Sequence, residues 1–366
     1  MECLLPLCRP FKMAAPISDG KIELGFIEKS EIWRQTSPFF PSKVGGRPSW
    51  LSLTDLPNSS KLLCGNCGKP VIFLLQIYCP VDAFEGTFHR TLFLFICKDS
   101  VCHSQNSNKP FIVFRSQLPR VNSVYNFEPI EEENVKTSEF DTTIKKFGIN
   151  LCVLCGCNAG NKKCSKCHTT FYCSKEHQLI HWKGGHKTAC CKDGVQDEVP
   201  NILFPENEIV TEPEPSLDEQ QRDETEAVTK QETDSGYSAE ELEKMALKET
   251  KEDKHFLSFK DRIGLEPEQV LRYQRGGDPL WVSHNHQPVP TDIPACQCGS
   301  RRIFEFQVMP QMLIHLEVDK LDASIDWGTL AVYTCEANCN EGEAYHAEFL
   351  WKQDYEKSSD SKIQDS

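Results

Sequence analysis

Six stretches of the chain are apolar with only scattered polar interruptions: VIFLLQIY from Val71, TLFLFIC from Thr91, PFIVFR from Pro110, RIFEFQVM from Arg302, TLAVYTC from Thr329 and YHAEFLWK from Tyr345. They are short and rich in Phe, Ile and Val, so they predict β-strands, although the alternation along them is imperfect. A long helix is predicted from Ser238, SAEELEKMALKETKEDKHFLSFKDRI. Ser238 and Glu241 are spaced as a capping box at its start.

The six strands form two sets of three, and the sets are written alike. GGRPSW at 45–50 precedes the first, and GGDPLW at 276–281 precedes the second. Thirteen residues after the first phrase comes Cys64, and fourteen after the second comes Cys296. Gly follows the second Cys of each pair (Gly68, Gly299), and a Gln lies nine positions beyond that Cys (Gln76, Gln307). The second strand of each set runs into another pair, Cys97 with Cys102 and Cys335 with Cys339. A six-residue match alone is compatible with coincidence; four landmarks in one order at similar spacing imply duplication. Gly-Gly before Pro suits a tight turn needing positive φ, and the nearby Trp can anchor that turn to the core. The predicted fold is β-rich α+β, with two duplicated half-domains packing together around an inserted middle segment.

Charge divides that middle. The net charge is −14, yet the stretch from Asp193 to Asp253 alone holds 20 Asp and Glu against 5 Lys and Arg, leaving the remainder nearly neutral. Acidic and poor in aromatics, this stretch predicts a disordered linker. NILFPENEIV at 201–210 is an apolar island within it, suited to dock on a folded half. The arm reads as a solubilising spacer, or as a charge decoy that screens a basic client from RNA. The resulting division is a flexible extension (1–20), a first β-rich half-domain (21–127), a linker (128–149), a zinc finger (150–192), an acidic disordered linker (193–253), a second half-domain (254–355) and a flexible tail (356–366). No apolar run reaches the length of a membrane span, and the first twelve residues lack the apolar core of a secretory signal. A soluble, intracellular chain with no membrane partner is expected.

The chain has 19 cysteines, and in a reducing compartment clustered cysteines argue for metal rather than disulfides. The segment CVLCGCNAGNKKCSKCHTTFYCSKEHQLIHWKGGHKTAC, Cys152 to Cys190, contains two Cys-x2-Cys pairs, a Cys-x3-His and a His-x3-Cys. Eight such ligands satisfy two tetrahedral zinc ions in a segment too small to fold on apolar burial alone. Cys64, Cys67, Cys97 and Cys102 could form a further zinc site, and Cys296, Cys298, Cys335 and Cys339 another. The alternative for both sets is buried thiols at strand ends. Cys3, Cys8, Cys79 and Cys157 are surplus.

The order of ligands, with the Tyr172–Cys173 pair, resembles the MYND zinc finger. That resemblance implies an interleaved assignment: Cys152, Cys155, Cys173 and His177 on one Zn2+, and Cys164, Cys167, His186 and Cys190 on the other. His181 and Cys191 are rivals for the last ligands but break the family spacing. MYND fingers take short Pro-containing peptides, and Ser165, Gln178 and Trp182 match the family's groove; the bland reading of Trp182 is packing over the zinc site. From Cys152 to Lys192 there are seven Lys and one Glu, but no recognition-helix pattern and no aromatic–basic interleaving, so direct nucleic-acid binding is not expected.

FPSKVGGRPSWL, FHRTLFLF, RSQLPR, LEPEQVLRY, EFQVMPQ, IDWGTLAVYTC and FLWKQD, together with the finger, resemble the programmed cell death protein 2 family over nearly the whole chain, Glu23 to Asp354. The resemblance implies a dedicated chaperone in ribosome biogenesis. Its client would be one basic small-subunit ribosomal protein, number two in mammalian naming and number five in universal naming, escorted from cytoplasm to nucleus. It also implies a runner-up role, a nuclear adaptor that recruits corepressor proteins through the finger, with links to cell death. A β-rich body would offer strand edges and grooves to an extended client segment. No nucleotide loop, nucleophile elbow or acid–base pair is present, and His89 and His103 near the first cysteine set read as structural, so an enzyme is not expected.

Overall fold

The computed structural model describes residues 20–128, 130, 147–192, 194–215, 251–318 and 325–355. Among the described residues there are ten strands: β1 (Glu23–Glu28), β2 (Lys43–Val44), β3 (Ile72–Tyr78), β4 (His89–Ile96), β5 (Phe111–Leu118), β6 (Asn207–Pro213), β7 (Leu271–Tyr273), β8 (Arg302–Val308), β9 (Thr329–Cys335) and β10 (Tyr345–Gln353). They close into one antiparallel barrel in the order β1-β6-β2-β3-β4-β5-β10-β9-β8-β7. Exchanging β1–β5 for β6–β10 leaves this circular order unchanged, so the strand order has two-fold symmetry.

The two halves are interleaved in a single barrel, a closure the sequence reading did not include. The first strand of each half is inserted into the other half: β1 pairs with β7, and β6 pairs with β2. The seam is then closed by β1 against β6 and, on the opposite side, by β5 against β10. Closure also overturns the expectation of free strand edges for a client, because a closed barrel has none.

Strand β6 corrects the predicted linker at 193–253. Residues 207–213 are part of the barrel, and Phe204 and Ile209 of the apolar island lie in its core. Local charge explains why so acidic a segment folds. Glu206, just before β6, pairs with the buried Lys43 on β2, and Glu214, just after it, accepts from Arg272 on β7 at 2.6 Å and from Arg262 at 2.8 Å. The helix predicted from Ser238 is present as Lys251–Gly264; its first part lies outside the described residues.

The imperfect alternation of the strands has a structural cause. On β4, Leu92, Leu94 and Ile96 fill the barrel, while Phe93 and Phe95 pack outward into a second core. Every residue of β3 and β4 is buried. Strands covered on both faces read as nearly continuous apolar runs.

The repeated landmarks occupy equivalent places. A register shift falls between Phe73 and Leu75 on β3 and between Phe304 and Phe306 on β8. Gln76 accepts from the Ser49 N–H at 2.9 Å and donates to the Ser49 carbonyl at 3.4 Å. Gln307 does the same with Leu280, at 2.6 and 3.0 Å. Each glutamine thus ties down the residue before a repeat tryptophan. Gly45 and Gly46 both have positive φ, and a Cβ on Gly45 would lie 1.9 Å from the Pro205 carbonyl oxygen, so the segment leading into β6 fits only against glycine there.

One end of the barrel interior is ionic. Arg90 on β4 and Glu305 on β8 are fully buried and make a two-pronged pair, its second contact 2.7 Å long. Tyr273 also donates to Glu305, at 2.7 Å. Burial alone would raise the Glu305 pKa, but the charge and hydrogen bonds of Arg90 bring it down to about 2. Arg90→Met is expected to cost about 3–5 kcal/mol in chemical denaturation, because it strands a buried carboxylate, and Arg90→Met with Glu305→Met should recover most of the loss. The depressed pKa means that this carboxylate's contribution is complete above its unfolded value of 4.5 and vanishes as pH falls toward 2. Stability of the double variant should accordingly fall less steeply over that interval.

Candidate metal centres

The finger is built on two tight turns and one capped helix. In the first turn the Cys152 carbonyl accepts from the Gly156 N–H at 2.9 Å, and in the second the Cys164 carbonyl accepts from the His168 N–H at 3.1 Å. Gly156 and His168 both have positive φ. The helix Lys175–His181 starts at Ser174, whose hydroxyl accepts from the His177 N–H at 3.1 Å. That cap places His177 one turn beyond Cys173. A π-type turn at Trp182–His186 follows, and His186 accepts the Cys190 N–H at 2.7 Å.

These elements gather two sets of four ligand atoms, each set within 4.8 Å: Cys152, Cys155, Cys173 and His177, and Cys164, Cys167, His186 and Cys190. A zinc ion about 2.3 Å from each sulfur sets tetrahedral thiolates roughly 3.7–3.8 Å apart. Cys155 and Cys173 lie 3.6 Å apart and Cys164 and Cys190 3.8 Å, with Cys152 Sγ 3.6 Å from His177 Nδ1 and Cys167 Sγ 3.7 Å from His186 Nε2. The donor set and spacing fit zinc. The rival His181 is outside the Cys164 set but beside it: its ring stacks on His186 at 4.8 Å, its Nδ1 is 3.0 Å from the Tyr172 hydroxyl and its Nε2 3.2 Å from Asp197, so His181, His186 and Asp197 converge as well. Cys191 is exposed beside Cys190, and Cys157 is buried outside both sets.

Asp197 was not legible as a site residue. Its carboxylate lies 2.7 Å from His186 Nδ1, which fixes the ring with Nε2 toward the sulfurs. A lone functional carboxylate cannot be picked from an acidic run by pattern.

Of the groove residues, Ser165 is exposed, while Gln178 and Trp182 are half-buried. Trp182 meets His186 edge-on at 5.9 Å, and the Lys166 ammonium lies 5.6 Å from its ring centre. The Cys64 and Cys296 sets each converge as well. His89 and His103 belong to neither. His89 stacks on Phe40 at 4.1 Å with Nδ1 3.0 Å from the Tyr78 hydroxyl, and burial, helped by Arg120, holds its pKa down to about 4. His103 Nε2 lies 2.7 Å from the Cys97 carbonyl oxygen.

The finger is docked on the outer face of β3 and β4. Trp50 donates to the Gly156 carbonyl at 2.9 Å, Arg47 to the Val153 carbonyl, and Asn158 to the Leu56 carbonyl at 3.2 Å. Leu154, Tyr172 and the finger cysteines share one core with Trp50, Phe73, Phe93 and Phe95. A cleft of about 440 Å³, lined by Ser59, Leu62, Val71, Lys162, Cys173 and Lys175 among others, runs along this junction.

Fold and sites together define a β-barrel protein that carries an integral MYND finger. Family models described as programmed cell death protein 2 N-terminal domain, MYND finger and programmed cell death protein 2 C-terminal putative domain match residues 21–132, 152–190 and 253–354. Programmed cell death protein 2 of Rattus norvegicus is 48% identical over 339 residues, 91% of this chain and 96% of that protein. The Bos taurus protein of the same name is 49% identical over 92% of this chain and 97% of its own. The chain belongs to the programmed cell death protein 2 family. A Schizosaccharomyces pombe protein named probable 20S rRNA accumulation protein 4 is 34% identical over 99 residues, 24% of each chain. No solved structure matches.

Asp197→Ala is expected to weaken zinc at the Cys164 set by about 10- to 100-fold, the usual cost of losing such a histidine partner. Competition with a chromophoric chelator would resolve this as one zinc lost early, with the Cys152 set unchanged.

Proposed function

We propose that the protein is a non-enzymatic chaperone that escorts one basic small-subunit ribosomal protein during small-subunit biogenesis, in cytoplasm and nucleus. The carrying observation is its similarity to a fission-yeast protein named for 20S rRNA accumulation. Charge supports the reading. Asp197, Glu206 and Glu214 are engaged internally, but most acids between Asp193 and Asp253 lie beyond them in sequence, and a basic client needs such a counter-charge until RNA replaces it.

The barrel would supply the docking surface, and its strand order supports an origin from two copies of one half. The finger covers the outer face of β3 and β4. The equivalent face of the second half, over β8, β9 and β10, bears Trp281, Ile293, Phe304, Tyr333, Phe349 and Trp351. Trp281, Phe349 and Trp351 are half-exposed, and this face is the client site in our reading. In the finger, Cys152, Cys155, Cys173 and His177 would hold one zinc and Cys164, Cys167, His186 and Cys190 the second, both structural. A second reading, recruitment of corepressor proteins by the finger, is favoured by the half-open Gln178–Trp182 surface.

Full-length tagged chain, captured at moderate salt and analysed by mass spectrometry, separates the two. A single basic small-subunit ribosomal protein should be retained by the wild type and by Trp182→Ala, and reduced roughly tenfold or more by Trp281→Ala. Loss with Trp182→Ala instead, or corepressors in place of the ribosomal protein, would move the function to the finger. Trp50→Ala is a poor probe, because Trp50 lies beneath the finger and would disturb both parts.

A further inference from the structure

Outside the finger, cysteines converge at equivalent places on the two halves. Cys64 and Cys67 precede β3 and meet Cys97 and Cys102 beyond β4; Cys296 and Cys298 precede β8 and meet Cys335 and Cys339 at and beyond the end of β9. Each group has its four sulfurs within 4.8 Å of one another. Cys67 and Cys97 lie 3.8 Å apart, and Cys296–Cys339 and Cys298–Cys335 each 3.6 Å. A disulfide would be about 2 Å long, and all eight are free thiols. The spacing is that of four thiolates around one tetrahedral ion, roughly 3.7–3.8 Å.

The backbone gives an independent observation, because the turn that presents the finger ligands recurs here. In the finger, the first Cys carbonyl accepts from the N–H after the second Cys, at 2.9 Å for Cys152 and 3.1 Å for Cys164. The first Cys N–H in turn reaches across the turn, to Cys157 and Thr170 carbonyls, both at 2.8 Å. At Cys64 the same two bonds are 2.9 Å from Gly68 and 2.8 Å to Lys69. At Cys296, with one residue fewer, they are 2.9 Å from Gly299 and 2.8 Å to Ser300. The residue after the second Cys has positive φ in all four turns: Gly68, Gly156, His168 and Gly299. A bridge flanks three of them, Leu63 with Pro70, Leu151 with Asn158 and Lys163 with Phe171.

Charge is provided for as well. Four thiolates around a divalent ion leave two negative charges. The Asn66 N–H points at Cys64 Sγ from 3.4 Å, and the Arg115 guanidinium donates to the Cys339 carbonyl at 3.0 Å with Nη2 3.5 Å from its sulfur.

We propose that each group binds one Zn2+ through four thiolates, so that the full chain carries four zinc ions, two in the finger and two on the barrel. The four thiols of each group release their protons on binding, with no change of oxidation state. Each ion joins the turn that opens a hairpin to the end of that hairpin's second strand, which fixes the loop bearing Trp50 or Trp281.

Metal analysis and native mass spectrometry of the full-length chain should give four zinc per molecule, and three in Cys97→Ser or in Cys335→Ser. Should those variants not fold, the wild type still decides. Cys67 and Cys298 are exposed, so burial cannot shield them, and Cys191 is an exposed control. Iodoacetamide should modify Cys191 at once, and Cys67 and Cys298 only after a strong chelator is added. Two zinc per chain, with Cys67 and Cys298 modified as fast as Cys191, would overturn the proposal. So would recovery of these cysteines as disulfides, or iron in place of zinc. None of these readouts depends on the client.

Discussion

The barrel depends on an exchange of strands that neither half could dispense with. The edge of β2 is capped by β6, and the edge of β7 by β1, so each half relies on the other for its last row of backbone hydrogen bonds. Open edges of this length would be templates for unwanted pairing. The exchange is held by charge as well as by the ladder. Glu206 and Glu214 bracket β6 and neutralise Lys43 on one half and Arg272 on the other. Inside, the Arg90–Glu305 pair spans the halves again, from β4 to β8.

That frame explains how the finger can be both an insertion and an integral part. It enters the chain between β5 and β6 and folds back onto β3 and β4, where Trp50 donates to Gly156. Trp50 also touches the second half, its ring edge-on to Tyr345 of β10 at 5.2 Å. The residues that leave the finger are used at once: Asp197 orients His186, then Phe204 enters the barrel core, then β6 begins. What composition marks as linker is therefore a carboxylate that orients His186, a core contact and a strand in succession.

Much of this was readable beforehand, for reasons specific to each feature. Six strands announced themselves as apolar runs, and the eight finger ligands by spacing that chemistry constrains tightly. Gln76 and Gln307 were visible as landmarks, although not that each would grip the residue before a tryptophan. The island at 201–210 was visible as a docking segment but not as a strand, because Glu206, Glu208, Glu212 and Glu214 surround its apolar positions while Lys43 and Arg272 that balance two of them are far away in sequence. Barrel closure was hidden for the same reason: the exchange of β1 and β6 is a pairing between distant segments, and no local pattern encodes it. Asp197 illustrates the limit most plainly, being one carboxylate among many until His186 is placed beside it.

The seam between β5 and β10 carries a consequence for synthesis. Strand β10 spans Tyr345–Gln353, so the gap beside β5 cannot close until those residues have left the ribosome. Until then β5 presents an open edge, and the rows that will pair with it are still being made. Contacts of such long sequence separation form slowly, because loop-closure entropy is lost before they reward it. The cysteine turns and the finger need only short loops, so they can order first. The nascent chain thus passes through a state with its local knots tied and its sheet unfinished, and the final strand acts as the latch.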